Sequence, residues 1–299
     1  MKKEIIVVSL FDGISCAQIA LNKLGIKCIY YASEVDKFSI KCTQENYPNT
    51  IQIGDVSTVT RKSIDTLHME KGIDLVIGGS PCQNFTSFGD KKGLDGKKSK
   101  LFFEYMRVLK ELDPTYFLLE NVGSMKHTYR DIISDMMGVE YVSINSNLFV
   151  PQHRRRLYWS NIPFEKDSLP TQTTQKTVQT DILENPTTKD PRYYYTVENK
   201  RKSFIPSSFN YKPEADRPIA RPLKTLSMSY RAAVDNCYHV DYYPPGMTNL
   251  RKLTPIEYER LQGIPDNYTS CLSNSQRYKT IGNSFTVDVI EFLLAPIVN

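Results

Sequence analysis

Over roughly the first 160 residues, short apolar runs alternate with longer stretches whose apolar positions recur at helical spacing. Ile5–Leu10 and Leu75–Gly78 are nearly continuous apolar runs, and residues 28–32, 116–119 and 141–144 share their character; each predicts a buried strand. Residues 15–24 predict a helix. Lys100–Leu112 predicts a second one, with Leu101, Phe102, Tyr105, Val108, Leu109 and Leu112 on one face and Pro114 as its stop. Strands that alternate with helices in this way predict an α/β fold, a doubly wound, mostly parallel sheet covered on both faces.

The pattern changes near Pro163. From there to about Leu250 the chain is rich in Thr, Pro, Tyr and Lys and its periodicity is weak, which predicts a smaller, irregular second domain. Helical spacing returns at residues 254–261, where Thr254 and Glu257 form a capping-box pattern around Pro255 at the first helical position. A last helix is predicted at Val287–Leu294. The expected organisation is a main domain of residues 1–162 plus 276–299, with residues 163–275 as the second.

Composition narrows the function classes. The 299 residues carry a net charge of +5, and no run of 18 or more apolar residues is present, so no membrane span is expected. The apolar run after Met1-Lys2-Lys3-Glu4 is too short for a signal peptide and ends in Phe11-Asp12-Gly13. Six cysteines without a Cys-x-x-Cys pair suggest free thiols in a reducing compartment, and no zinc or other metal site is expected. From Asp190 to Arg231 nine Lys/Arg stand against four Asp/Glu, an excess equal to the net charge of the whole chain. Tyr193, Tyr194, Tyr195, Tyr211 and Tyr230 lie among these cations, which fits either phosphate contact with base stacking or a solvated loop.

Candidate chemistry follows the strand ends. Phe11-Asp12-Gly13-Ile14-Ser15 links the first strand to the first helix, where a glycine lets a ligand approach the backbone and the helix start offers N–H donors. Glu34-Val35-Asp36 follows the second strand and places an acid to accept from ribose hydroxyls. Asp55, after Gly54, is placed to hold an adenine amino group. Together these point to an adenosine-containing cofactor. Gly78-Gly79-Ser80-Pro81-Cys82-Gln83 then aims a cysteine into the ligand crevice of such a sheet. Glu120-Asn121-Val122 opens a carboxylate on the same edge, and Gln152-His153-Arg154-Arg155-Arg156 supplies Arg154 and Arg156 at alternate positions of an extended segment. Taken alone, Cys82 reads as a buried inert thiol, the fate of most lone cysteines, and its company with Glu120, Arg154 and Arg156 lifts it above that reading.

These motifs, in this order, resemble the cytosine-5 DNA methyltransferases over nearly the whole chain. Phe11–Ser15, Glu34–Asp36 and Gly54-Asp55-Val56 resemble the three cofactor motifs, Ser80-Pro81-Cys82-Gln83 the nucleophile motif and Glu120-Asn121-Val122 the acid motif. Gln152–Arg156 resembles the Gln-x-Arg-x-Arg motif. Residues 251–255 with Leu261-Gln262-Gly263 resemble the ninth motif, and Gly282-Asn283-Ser284 the tenth. The run from Asp74 to Cys82, continuing to Leu101–Tyr105, is similar to the vertebrate de novo branch, whereas the length suits a bacterial or phage enzyme. Departures are Ser15 where many members have glycine, Val35 where an aromatic often covers the adenine, and Phe285 in place of an aliphatic residue.

The resemblance implies a Rossmann-like domain that binds S-adenosylmethionine, with S-adenosylhomocysteine as product, and duplex DNA as substrate. Cofactor contacts would come from Phe11, Asp12, Gly13, Ile14, Ser15, Glu34, Val35, Asp36, Asp55, Val56, Ser80, Pro81, Asn283 and Ser284. It further implies that Cys82 adds to C6 of a flipped cytosine, that Glu120 contacts N3, that Arg156 holds O2 and that Arg154 supports the thiolate and a phosphate. Residues 83–100, with Gly89, Gly93, Gly96 and five lysines, are expected to form a lid, and the second domain to be the target-recognition region. A monomer in the cytoplasm of a bacterial or phage-infected cell is expected. Three alternatives stand beside this reading: an RNA-directed enzyme of the same chemistry, a non-catalytic DNA-binding homologue, and a cysteine redox enzyme.

Overall fold

The computed structural model describes residues 4–80, 100–164, 166–171, 173–185, 190–196, 217–220, 223, 237–240 and 244–298. The chain folds as two compact units, the first of residues 1–146, 155–171 and 284–299 and the second of residues 147–154 and 172–283.

The first unit is built on a seven-stranded sheet. Its strands are β1 (Ile5–Leu10), β2 (Cys28–Ser33), β3 (Ile51–Gln52), β4 (Leu75–Gly78), β5 (Tyr116–Val122), β6 (Val142–Asn145) and β7 (Arg155–Ser160). Their order is β3-β2-β1-β4-β5-β7-β6. Every pairing from β3 to β5 is parallel, and β7 runs antiparallel to both β5 and β6. All six residues of β1 are buried, as expected of a strand covered on both faces. The order reverses between β1 and β4, which are registered Leu10 to Gly78. Chain exits from these two strands are therefore neighbours at the switch point, where open α/β sheets bind ligands.

Helices α1 (Cys16–Lys23), α2 (Lys37–Asn46), α3 (Thr66–Lys71), α4 (Lys100–Leu112) and α5 (His127–Met137) follow successive strands. Phe102, Tyr105, Val108 and Leu112 bury the apolar face of α4 in a cluster with Val8, Leu10, Val76, Leu119 and Trp159. The Trp159 indole finds its buried partner in the Ser134 hydroxyl, at 2.9 Å.

In the second unit, β8 (Tyr194–Thr196), β9 (Cys237–His239) and β10 (Met247–Lys252) form an antiparallel sheet in the order β8-β10-β9. Helix α6 (Pro255–Leu261) starts with the capping box, Thr254 accepting from the Glu257 N–H while Glu257 accepts from that of Thr254. α7 (Asn274–Asn283) closes this unit, and α8 (Val287–Leu294) returns to the first, packing on α1 with Lys23 held by Asp288 (3.0 Å) and Glu291 (2.6 Å).

Three local expectations shift. β5 continues to Val122, so Glu120 lies within a strand instead of beyond it. Of the guanidinium segment only Arg155 and Arg156 enter a strand, the antiparallel β7, and α7 is a helix that periodicity did not announce. Residues 274–297 have the length and composition of a membrane span. They form two helices separated at Ser284, Phe285 and Thr286, and the stretch is mostly buried.

Candidate active site

The carboxylate of Glu120 sits on β5 opposite Tyr158 of β7, and Arg156 is two residues earlier on β7. Alternation along β7 puts Arg156 and Tyr158 on one face, and Arg156 Nε reaches Glu120 Oε1 at 2.8 Å. Both side chains are mostly covered, at 18% and 13% exposure, which strengthens their attraction relative to a surface pair. Arg156 is further braced by an Nη1 bond of 3.0 Å to its neighbour's carbonyl, that of Arg155.

This pair stands at the exit of β4. A Cβ on Gly79 would lie 2.8 Å from Phe285 Cε1 and 3.1 Å from Glu120 Oε2, so only glycine lets the ring and the carboxylate approach there. Asn121 is buried and donates from Nδ2 to the Ser80 hydroxyl (3.2 Å) and carbonyl (3.3 Å). Its Oδ1 accepts from the Val122 N–H at 2.8 Å. The neighbour of the acid thus ties the end of β4 to β5. Pro81 and Cys82, the next two residues, lie outside the described residues, as do residues 83–99 of the expected lid.

The β1–α1 turn has an unusual backbone. Phe11, Gly13 and Ser15 all take left-handed conformations, with φ of 56°, 62° and 57°. Nothing lies within 4 Å of a Cβ built on Gly13. Asp12 is buried and accepts from Tyr30 Oη at 2.7 Å and from the Ser15 hydroxyl. Burial pushes its carboxyl up to about 6, an effect that the hydroxyls of Ser15, Ser9 and Tyr30 partly offset. Ile14 is fully buried.

Glu34 uses Oε2 for the Gly13 N–H (2.7 Å) and Oε1 for those of Val35 (2.7 Å) and Asp36 (2.8 Å). A carboxylate has about four acceptor positions, so one remains for a ligand hydroxyl. Val35 is 67% exposed beside it. Asp36 instead caps α2, accepting from the Phe38 and Ser39 N–H groups. Exposed Asp55 accepts from Ser57 N–H (2.8 Å) and Oγ (2.6 Å), both on Oδ1. Val56 is buried in the core, so only its backbone is left for a ligand. The open space over Gly13, the free acceptor position on Glu34 and the exposed Val35 and Asp55 fit an adenosine-bearing group. Among the described residues no group of three or more His, Cys, Asp or Glu is placed to hold a metal.

Arg154 belongs to the second unit, is buried, and directs Nη1 and Nη2 to the Gly282 carbonyl at 3.1 Å each. That carbonyl lies in the last turn of α7, where a cation is favoured; the arrangement is a helix clamp within its unit. Gln152 is likewise buried, donating to the Leu261 carbonyl at 2.9 Å. Asn283 ends α7 and is exposed, and Ser284 is buried in the first unit. Tyr193 and Tyr194 are also buried, contrary to a stacking role, and the Tyr193 hydroxyl accepts from Asn274 at 2.7 Å. Arg192 is exposed but paired with Asp190 at 2.5 Å. Most other cations of the basic segment lie outside the described residues.

Asn121, Gly79 and Phe285 were not singled out as site residues from sequence. A signal was present: Asn121 adjoins the acid and Gly79 precedes Ser80-Pro81-Cys82.

The C-5 cytosine-specific DNA methylase family model matches residues 5–299. Type II methyltransferase M1.ScrFI of Lactococcus lactis subsp. cremoris is 29% identical over 311 residues, covering 95% of this chain and 75% of that protein. Type II methyltransferase M.HpaII of Haemophilus parainfluenzae is 27% identical over 325 residues, covering 97% and 88%. Among solved structures, the Entamoeba histolytica methyltransferase EhMeth has a TM-score of 0.74 at 18% identity and covers 99% of this chain and 98% of its own, a likeness of fold.

Proposed function

Because the chain belongs to the C-5 cytosine-specific DNA methylase family and is a DNA cytosine-5 methyltransferase, we propose that it takes the methyl group from S-adenosylmethionine and uses Cys82 as its covalent nucleophile. The observation that carries the reading is the Arg156–Glu120 contact of 2.8 Å beside Gly79, at the strand end that leads through Ser80 and Pro81 to Cys82.

Cytosine C5 is a weak nucleophile until the ring is activated. The Cys82 thiolate adds to C6 while Glu120 engages N3, and the electron pair released into the ring makes C5 an enamine carbon. C5 then takes the methyl; loss of the C5 proton restores the double bond and expels the thiolate. Arg156 holds Glu120 in place and offers a cation to the base oxygen. The target base has to leave the duplex stack to reach these groups, at a cost of a few kcal/mol. S-adenosylmethionine, when bound, would supply an electrophilic methyl on sulfur, with S-adenosylhomocysteine as the product. The β1–α1 turn, Glu34, Val35, Asp55 and Ser284 would hold it. The second unit serves target recognition. The protein acts as a monomer on duplex DNA, in the cytoplasm of the bacterial or phage-infected cell where that DNA lies.

Base-resolved cytosine-modification sequencing of plasmid DNA from cells expressing the chain, beside a Cys82→Ala control, tests this. Methylcytosine at a recurring short sequence, absent from the control, is expected. Methylation that persists in Cys82→Ala would overturn the assignment of the nucleophile, and a labelled methyl transferred to tRNA in preference to duplex DNA would overturn the substrate.

A further inference from the structure

Left-handed backbone is disfavoured for residues with a side chain, and the β1–α1 turn holds two such residues, Phe11 and Ser15, on either side of Gly13. Ser15 has φ 57° and ψ 40° at the position that precedes α1. Such a conformation persists only where its surroundings over-determine it. Here the surroundings come largely from β2 and the residue after it. The Asp12 N–H donates to the Ser33 carbonyl at 3.1 Å, and the Gly13 N–H to Glu34 at 2.7 Å. The Ser15 hydroxyl donates to Asp12 Oδ2 and lies 3.0 Å from Thr43 Oγ1 of α2. Tyr30, buried in the middle of β2 at 2% exposure, donates its hydroxyl to Asp12 Oδ1 at 2.7 Å. Asp12 is thus the acceptor shared by a residue within the turn and one beneath it, and removal of either donor takes a hydrogen bond from a buried carboxylate.

We propose that Tyr30 is a positioning residue for cofactor binding, which through Asp12 holds Ser15 in its left-handed conformation and so keeps the β1–α1 turn in the shape that receives S-adenosylmethionine. This rests on the reading of that turn as the cofactor site. It also accounts for serine at a position with left-handed backbone: the hydroxyl bond to Asp12 supplies the hold that glycine does not need.

The test is calorimetric titration of S-adenosylhomocysteine into the wild-type chain, Tyr30→Phe, Ser15→Gly and the double variant, with KM for S-adenosylmethionine and kcat measured alongside. Tyr30→Phe is expected to weaken binding roughly tenfold and to raise KM similarly, with kcat at saturating donor changed less than about twofold. In the Ser15→Gly background, where the turn no longer depends on the hydroxyl, the same substitution is expected to matter less than about threefold. Binding by Tyr30→Phe within about twofold of wild type, or an equal loss in both backgrounds, would overturn the proposal. Wild-type protein that does not bind S-adenosylhomocysteine would overturn the cofactor reading, and this inference with it. Should Tyr30→Phe not fold, Asp12→Asn reads the same link from its other side, and unchanged affinity in that variant rejects it.

Discussion

Arg156 on β7 directs Nε to Oε1 of Glu120 on β5 at 2.8 Å, joining two antiparallel strands through a largely covered ion pair. In the proposed mechanism Glu120 engages a base nitrogen and needs a fixed direction, which the guanidinium would supply. Arg156→Leu is expected to lower single-turnover methyl transfer by about 10²-fold, and Glu120→Gln by about 10²- to 10⁴-fold, the range of positioned acid–base groups. Equal rates for wild type and Arg156→Leu would show that the ion pair is only structural.

Asn121 is expected to matter through Ser80. Asn121→Ala leaves the Ser80 carbonyl without this donor in a buried place, at a cost of about 1–3 kcal/mol in stability. Because the freed segment is the one that leads to Cys82, methyl transfer should fall further than the fraction of folded protein does. Urea unfolding and rate measurements on the same preparation separate the two effects.

The Gly79 contact predicts a rescue. Gly79→Ala places a Cβ 2.8 Å from the Phe285 ring and should destabilise by about 1–3 kcal/mol, as overpacking does. Gly79→Ala with Phe285→Val should recover part of that loss in thermal unfolding. If it recovers none, the 3.1 Å approach to Glu120 is the dominant clash.

Asp12 predicts a pH dependence with a definite sign. Its carboxyl is raised from 3.8 to about 6 in the fold, so the folded chain holds the proton more tightly than the unfolded one. Its contribution to stability is therefore greatest below pH 3.8 and is lost as pH rises through about 6. Asp12→Asn buries no charge. Relative to wild type it should gain about 2–3 kcal/mol between pH 4 and pH 8, from a shift of about two units. Denaturant unfolding at both pH values checks this; parallel curves would mean that Asp12 is not perturbed.

The second unit contains a fully buried pair, Arg251 Nη2 with Glu257 Oε1 at 2.5 Å and Nη1 with Oε2 at 2.7 Å. Glu257→Gln removes the compensating charge and should cost about 3–5 kcal/mol, while Arg251→Met with Glu257→Gln, which keeps an acceptor for the Thr254 N–H, should cost less. Thermal unfolding of the single and paired variants decides it, and a double variant worse than the single would count against a simple desolvation account.

Much of this molecule was readable from its residues alone. β1, β4, α4 and α8 lie where local periodicity put them, because burial on two faces or along one helical stripe leaves its mark within a short stretch of chain. The capping box of α6 was readable for the same reason, its partners being three residues apart. The order of motifs along the chain, and with it the family, is a property of sequence alone. Tertiary structure decided the rest. That Tyr193 is core and that Arg154 clamps a carbonyl 128 residues away depend on long-range packing that leaves no local pattern. The same holds for Asn121, which pins a strand end 41 residues back, and for Phe285, which needs a glycine far away in sequence to make room for its ring. Side-chain type states what a residue can do; which partner reaches it is set by the long-range closure of sheet and helices, where burial and hydrogen-bond satisfaction are settled together.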